Sequence, residues 1–164
     1  MLIVPLSAPI ADEPPQLGPG ADKPPDIPAL PFASTTAGVT RVFFVDDHKV
    51  MRQGLVKLIA GQPGIHVVGE AANGLEAVEM TKRLNPDVII MDVSMPEMDG
   101  IEATRRIKNE LPKARVVGLS MYEDEHIYKA MCEAGAESFV SKNASPARLL
   151  NAIYGAAQEK KLPY

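Results

Sequence analysis

The sequence predicts an α/β fold: five strand–helix units wound into a doubly wound, five-stranded parallel sheet. From Arg41 onward, apolar runs of strand length alternate with segments of helical spacing, five times over. The runs at 41–45, 87–92 and 114–120 are apolar nearly throughout, as expected of strands covered on both faces. The connections are short, so each helix must cross back over the sheet, making neighbouring strands parallel and the crossovers right-handed. Five strands so connected are expected in the flavodoxin-like order 2-1-3-4-5, which is taken over from that architecture rather than dictated by these residues.

Each element has a local reason. The run Arg41–Val45 (RVFFV) ends in Asp46-Asp47, and residues 48–61 place Val50/Met51, Leu55 and Leu58/Ile59 at helical spacing. A Gly-Gln-Pro-Gly turn precedes a second strand at 65–69. Asn73 with Glu76 three residues on is a capping-box pattern, and the helix it opens stops at Asn85-Pro86 because proline cannot continue it. The third strand, 87–92, delivers Asp92 to its end. Asp99 with Glu102 repeats the cap and starts a helix carrying Ile101, Thr104, Ile107 and Leu111, so Asp99 reads as a cap rather than a ligand. After the fourth strand, Ala114–Ser120, a helix at about 124–134 begins among three acids and finishes at Gly135. A short fifth strand, 138–141, is followed by Ser145-Pro146, an N-cap with proline in the first helical turn, opening a last helix to about 159.

Residues 1–38 are a different material. Nine of the fifteen prolines fall in the first 31 positions, and so little apolar surface can be buried there that a disordered, Pro-rich tail is expected. The folded domain is expected over 39–160, with 161–164 an end or the start of a linker. A net charge of -4 argues against a chain that grips nucleic acid directly, and the absence of Trp argues against a base-stacking surface. The single cysteine, Cys132, excludes an internal disulfide and a thiolate metal site, and reads as a packing residue on a helix. Met1–Ile10 is apolar but lacks a basic start and is interrupted by Pro5 and Pro9, so no secretory signal is read. A soluble cytoplasmic protein without membrane association is expected.

The strand ends collect a chemical set. The first strand ends at Asp46 and Asp47, the third at Asp92, the fourth at Ser120 and the fifth near Lys142, all at one edge of one sheet. Crowded carboxylates repel and raise one another's pKa values, a cost that a hard divalent cation such as Mg2+ removes. One carboxylate can then attack phosphorus in line, the Lys142 ammonium can meet the charge on the transferring group, and the Ser120 hydroxyl can hydrogen-bond a phosphate oxygen. Together these groups form a phosphoryl-transfer site. His48 opens a helix and belongs to the fold or to an exposed docking face, while His66 and His126 show no ligand spacing. No Gly-rich loop ending in Gly-Lys-Ser/Thr is present, so an NTPase is excluded.

At these residues the sequence resembles the receiver domains of two-component response regulators. The resemblance covers about 40–160 and rests jointly on Val45-Asp46-Asp47-His48, Met91-Asp92-x-x-Met95-Pro96-x-Met98-Asp99-Gly100, Leu119-Ser120 and Ser141-Lys142. It implies Asp92 as phospho-acceptor, fed by a sensor histidine kinase or a small phosphodonor. It further implies Mg2+ held by the side chains of Asp47 and Asp92, by Asp46 through water and by the Ser94 carbonyl. Ser120 is similar to the switch hydroxyl, and Phe139, three residues before Lys142, occupies the switch-aromatic position. Tyr is frequent there, so the hydroxyl of a hydrogen-bonded inward state is lacking while rotation remains open. Met121 and Tyr122 follow the switch serine and are placed to gate water access to the acyl phosphate. Arg52-Gln53-Gly54-Leu55 and Ser-Lys-Asn-Ala-Ser-Pro resemble the NarL/FixJ (LuxR-type) branch. Asn143 stands where many receivers have proline after the lysine, so a trans bond is expected, a cis one costing ~3 kcal/mol without proline.

The resemblance implies a phosphorylation switch in which the face from helix four through strand five to helix five changes its partners. Relatives in the LuxR branch commonly dimerise and bind DNA through a C-terminal helix-turn-helix. A phosphorylation-dependent homodimer is therefore expected, with DNA contacted only by a domain outside this chain. A stand-alone receiver acting by protein contact is the alternative. So is an aspartate-nucleophile phosphatase or phosphotransferase, but that class places a second acid where this chain has Ser94.

Overall fold

The computed structural model describes residues 38–158, in which five strands and five helices alternate. In chain order they are β1 (Thr40–Val45), α1 (Lys49–Ala60), β2 (Ile65–Ala71), α2 (Gly74–Leu84), β3 (Val88–Asp92), α3 (Gly100–Glu110), β4 (Arg115–Ser120), α4 (Glu125–Ala134), β5 (Ser138–Ser141) and α5 (Pro146–Gln158). The strands form one parallel sheet in the order β2-β1-β3-β4-β5, as expected. The expected Pro-rich tail at 1–38 lies outside the described residues except for Gly38, as do 159–164. No described helix is long and apolar enough to cross a membrane.

Alternate side chains of the central strands feed two cores. Val42, Phe44, Ile90, Val117 and Leu119 pack with Ile59 of α1 and Leu149, Leu150 and Ile153 of α5. Phe43, Val45, Ile89, Met91 and Val116 pack on the other face with Ala77 of α2, Ala103 and Ile107 of α3 and Met131 of α4. Each fully buried large side chain contributes ~1.5–3 kcal/mol, so burial on both faces outweighs any local preference of a single strand. The chain reverses its direction of winding at β1: β2 lies to one side of it and β3 to the other. Sheets of this kind bind their ligands in the crevice at that reversal, beyond the carboxyl ends of the strands.

Three details depart from the sequence reading. β2 continues two residues further, to Ala71, because a register shift between Val42 and Phe43 lets it follow β1 to its end. Val50 is 86% exposed, since the buried stripe of α1 runs through Leu55, Leu58 and Ile59 and Val50 is rotated off it. Cys132 is exposed rather than packed, because the inward stripe of α4 is Ile127, Met131 and Ala134 and Cys132 is one residue past it. Other expected features stand. α2 ends at Leu84, just before Asn85-Pro86, Gly135 takes the left-handed conformation after α4, and no cis peptide bond occurs among the described residues.

Candidate functional site

Asp46 lies one residue beyond β1, fully buried. Its N–H donates to the Ala71 carbonyl at 3.1 Å. Its Oδ1 accepts the His48 N–H at 2.8 Å, so the side chain itself shapes the turn into α1. Asp92, the last residue of β3, is 2% exposed, and its Oδ1 accepts the Ser94 N–H at 3.3 Å. α3 starts close behind it: an added Cβ at Gly100 would meet the Asp92 carbonyl oxygen at 2.0 Å. Only glycine lets the helix N-terminus sit this near the end of β3.

Lys142 follows β5, its N–H donating to the Ser120 carbonyl at 2.8 Å. Its Nζ lies 2.8 Å from Asp46 Oδ2 and 2.8 Å from Asp92 Oδ2, and all three side chains are nearly inaccessible. Burial is the largest influence on Asp92 and pushes its carboxyl up; Lys142 opposes, Asp46 adds to the rise, and the result is about 6 against an ordinary 3.8. Burial pulls the Lys142 ammonium down, but its bonds and attraction to Asp46 and Asp92 outweigh that and hold its pKa above the usual value. The lysine is therefore a fixed positive charge between two acids.

Asp47 is more open, with Oδ1 2.9 Å from His48 Nδ1. Ser120 is buried at the end of β4 and its Oγ accepts the Tyr122 N–H at 3.0 Å. Ser94 is exposed, as are Met121 and Tyr122 at 46% and 68%. Phe139 is half-buried and meets Tyr128 of α4 edge to face, with ring centroids 5.9 Å apart.

Asp46, Asp47 and Asp92, with His48, offer ligand atoms within 4.8 Å of one another. Buried oxygens on all three acids accept no regular hydrogen bond: those of Asp46 and Asp92 face the Lys142 ammonium, and that of Asp47 faces the His48 ring nitrogen. Three carboxylates against one buried ammonium leave an excess of negative charge lined with oxygen donors. That donor set fits a hard divalent cation such as Mg2+.

The structure thus brings together Asp46, Asp92 and Lys142 by direct contact, with Asp47 beside them. Two participants had no role in the sequence reading. Arg52 donates from Nη1 to the Asp46 carbonyl and from Nε to Glu70 Oε2 at 2.9 Å. Arg52 was visible within the branch motif, but nothing in a linear pattern says that a helix residue returns to the end of the preceding strand.

Residues 42–154 match the family described as the response regulator receiver domain, and the chain belongs to it. The transcriptional regulatory protein LiaR of Bacillus subtilis is 42% identical over 123 residues, 74% of this chain and 58% of LiaR. A two-component response regulator of the LuxR family from Aurantimonas sp. SI85-9A1 superposes with a TM-score of 0.72 at 36% identity, over 74% of this chain and 87% of that one. A chain of the CheX–CheY–BeF3–Mg2+ complex from Borrelia burgdorferi matches with a TM-score of 0.66 at 30% identity, over 71% and 87%. The protein is a receiver domain of a two-component response regulator, with LuxR-family relatives. It spans a little over half the length of the curated relatives it matches.

Proposed function

We propose that this chain is a phosphorylation-driven switch in which Asp92 accepts a phosphoryl group from a sensor histidine kinase or a small phosphodonor. One observation carries the reading: Asp92 stands at the reversal of the sheet, buried, with Lys142 2.8 Å from its carboxylate. An Asp92 carboxylate oxygen attacks phosphorus, and the bond from phosphorus to the donor's imidazole nitrogen or acetate oxygen breaks, the leaving group keeping the electron pair. The Lys142 ammonium, already oriented, meets the charge on the transferred group. Asp47, Asp92 and the Ser94 carbonyl would hold Mg2+, with Asp46 acting through water, and the ion when bound supplies positive charge to the phosphoryl oxygens. The Borrelia complex contains Mg2+ and beryllofluoride, which supports the assignment by analogy.

The Ser120 hydroxyl then turns from the Tyr122 N–H to the phosphate, Phe139 moves with it, and the α4–β5–α5 face changes its preference for partners. Met121 and Tyr122 limit the approach of water. Turnover of a separate substrate is not part of this reading, because Ser94 stands where aspartate-nucleophile phosphatases carry an acid.

Residues 39–160 are assigned as the receiver and 1–38 as a Pro-rich tail. The relatives' length and their LuxR membership support placing this receiver in a cytoplasmic transcription regulator that dimerises on phosphorylation and meets DNA through a C-terminal domain. The test is Mg2+-dependent modification by acetyl phosphate or beryllofluoride in the wild type and in Asp92→Asn, followed by sizing. Saturable modification lost in the variant is expected; none in either protein would leave an interaction module and end the phosphorylation reading.

A further inference from the structure

Every polar atom of Asp46 has a partner, and its carbonyl finds one in a helix side chain outside the acid cluster. The β1 register stops at Val45, which pairs with Ala71 on one side and Met91 on the other. The Asp46 carbonyl therefore lies past the last ladder pair. A buried carbonyl without a donor is costly. Arg52, from the second turn of α1, supplies one through Nη1.

The same guanidinium donates from Nε to Glu70 of β2 at 2.9 Å, and the Arg52 side chain is only 13% exposed. The turn it braces is otherwise held from within, by the Asp46 carboxylate on the His48 N–H and by the Asp47–His48 contact. His48, the N-cap of α1, makes no side-chain cap hydrogen bond, and the first turn carries no acid. Glu70 also matches the charge, so a guanidinium beside the acid cluster does not compete with a cation there.

From this geometry we infer that Arg52, anchored by Glu70, is a positioning residue that fixes the Asp46-Asp47 turn for divalent-cation binding and for phosphoryl acceptance at Asp92. The inference rests on the function proposed above. It requires the two-pronged planar group. A lysine ammonium at the same place has no fork to reach the carbonyl and Glu70 together.

The experiment measures Mg2+ affinity by calorimetry, and amide exchange at Asp47 and His48 without metal, in wild type, Arg52→Ala, Arg52→Lys and Glu70→Gln. Arg52→Ala should bind Mg2+ about 10–100-fold more weakly, the range known for groups that orient metal ligands. Exchange at Asp47 and His48 should be faster, Arg52→Lys should fail to restore either quantity, and Glu70→Gln should show a smaller loss in both. If Arg52→Ala does not fold, Arg52→Lys and Glu70→Gln decide by the same readouts. Folded variants with Mg2+ affinity within about twofold of wild type and unchanged exchange would overturn the inference. A wild type that binds no Mg2+ counts instead against the function proposed for Asp92, and the exchange rates alone then decide whether Arg52 holds the turn.

Discussion

The Lys142 ammonium lies 2.8 Å from Asp92 Oδ2, and both side chains are 2% exposed. In water such a contact contributes little, but here neither group can be neutralised by solvent. Asp46 adds a second carboxylate at 2.8 Å from the same nitrogen. Removing the cation should therefore cost far more than removing a surface ion pair. Lys142→Met is expected to lose ~3–5 kcal/mol of stability in metal-free buffer at neutral pH, with Mg2+ restoring part of it. Urea unfolding with and without Mg2+ checks this; a loss below ~1 kcal/mol would mean that the pair is not buried in solution.

The raised carboxyl of Asp92 sets a pH dependence of definite sign. Its pKa is 3.8 ordinarily and about 6 in the fold, so between those values the folded protein binds more protons than the unfolded chain. Stability of the metal-free protein then falls as pH rises through that window. Asp92→Asn removes the titrating group and should flatten the profile between pH 4 and 6. Mg2+ affinity should move the other way in the wild type, strengthening up to about pH 6 as the ligand deprotonates. Chemical denaturation and calorimetry across this range test both; a flat wild-type profile contradicts the burial argument.

Two glycines should respond in opposite directions. A Cβ at Gly100 would stand 2.0 Å from the Asp92 carbonyl oxygen, which neither β3 nor α3 can yield without moving the acceptor. Gly100→Ala is expected to cost ~3 kcal/mol and to weaken Mg2+ binding with it. Gly54 lies inside α1, exposed, with nothing within 4 Å of an added Cβ. There Gly54→Ala should gain ~1 kcal/mol from helix propensity alone. Thermal unfolding of both variants is the measurement, and equal effects at the two positions would reject the packing account.

What could be read from the sequence was what depends on alternation and strand ends. An apolar run fixes where a strand stops, so the sequence alone puts Asp46, Asp92, Ser120 and Lys142 at one edge. Facts that turn on a fraction of a helical turn are not legible there, which is why Val50 and Cys132 prove exposed where helical spacing suggests packing. The two similar caps show the same limit. Glu76 folds back to the Ala72 N–H at 2.8 Å, whereas Glu102 pairs with Arg105 and Arg106 three and four residues on. Asn73 and Asp99 still each cap their helix through the N–H three residues ahead. A local motif survives where nothing competes for its side chain, and α3 supplies two competing arginines.

The loop leaving Asp92 stores strain that a single substitution should release. Met98 N–H donates to the Pro96 carbonyl at 2.8 Å across Glu97, whose φ is 68°, a tight three-residue turn that L side chains rarely adopt. Such a conformation costs ~1–3 kcal/mol and persists only where its surroundings over-determine it. Here Met98 is buried against Gly74 at the start of α2, and Gly100 is pinned to the Val93 carbonyl, so the loop between them has no freedom to relax. Glycine adopts φ > 0 without that cost but loses ~0.5–1 kcal/mol more entropy on folding. Glu97→Gly should therefore end ~0.5–1 kcal/mol more stable than wild type, and Glu97→Val, with a branched Cβ at the same φ, less stable than both. Urea unfolding of the three proteins decides: were Glu97→Gly the least stable, the turn would be held by the glutamate side chain rather than tolerated by it.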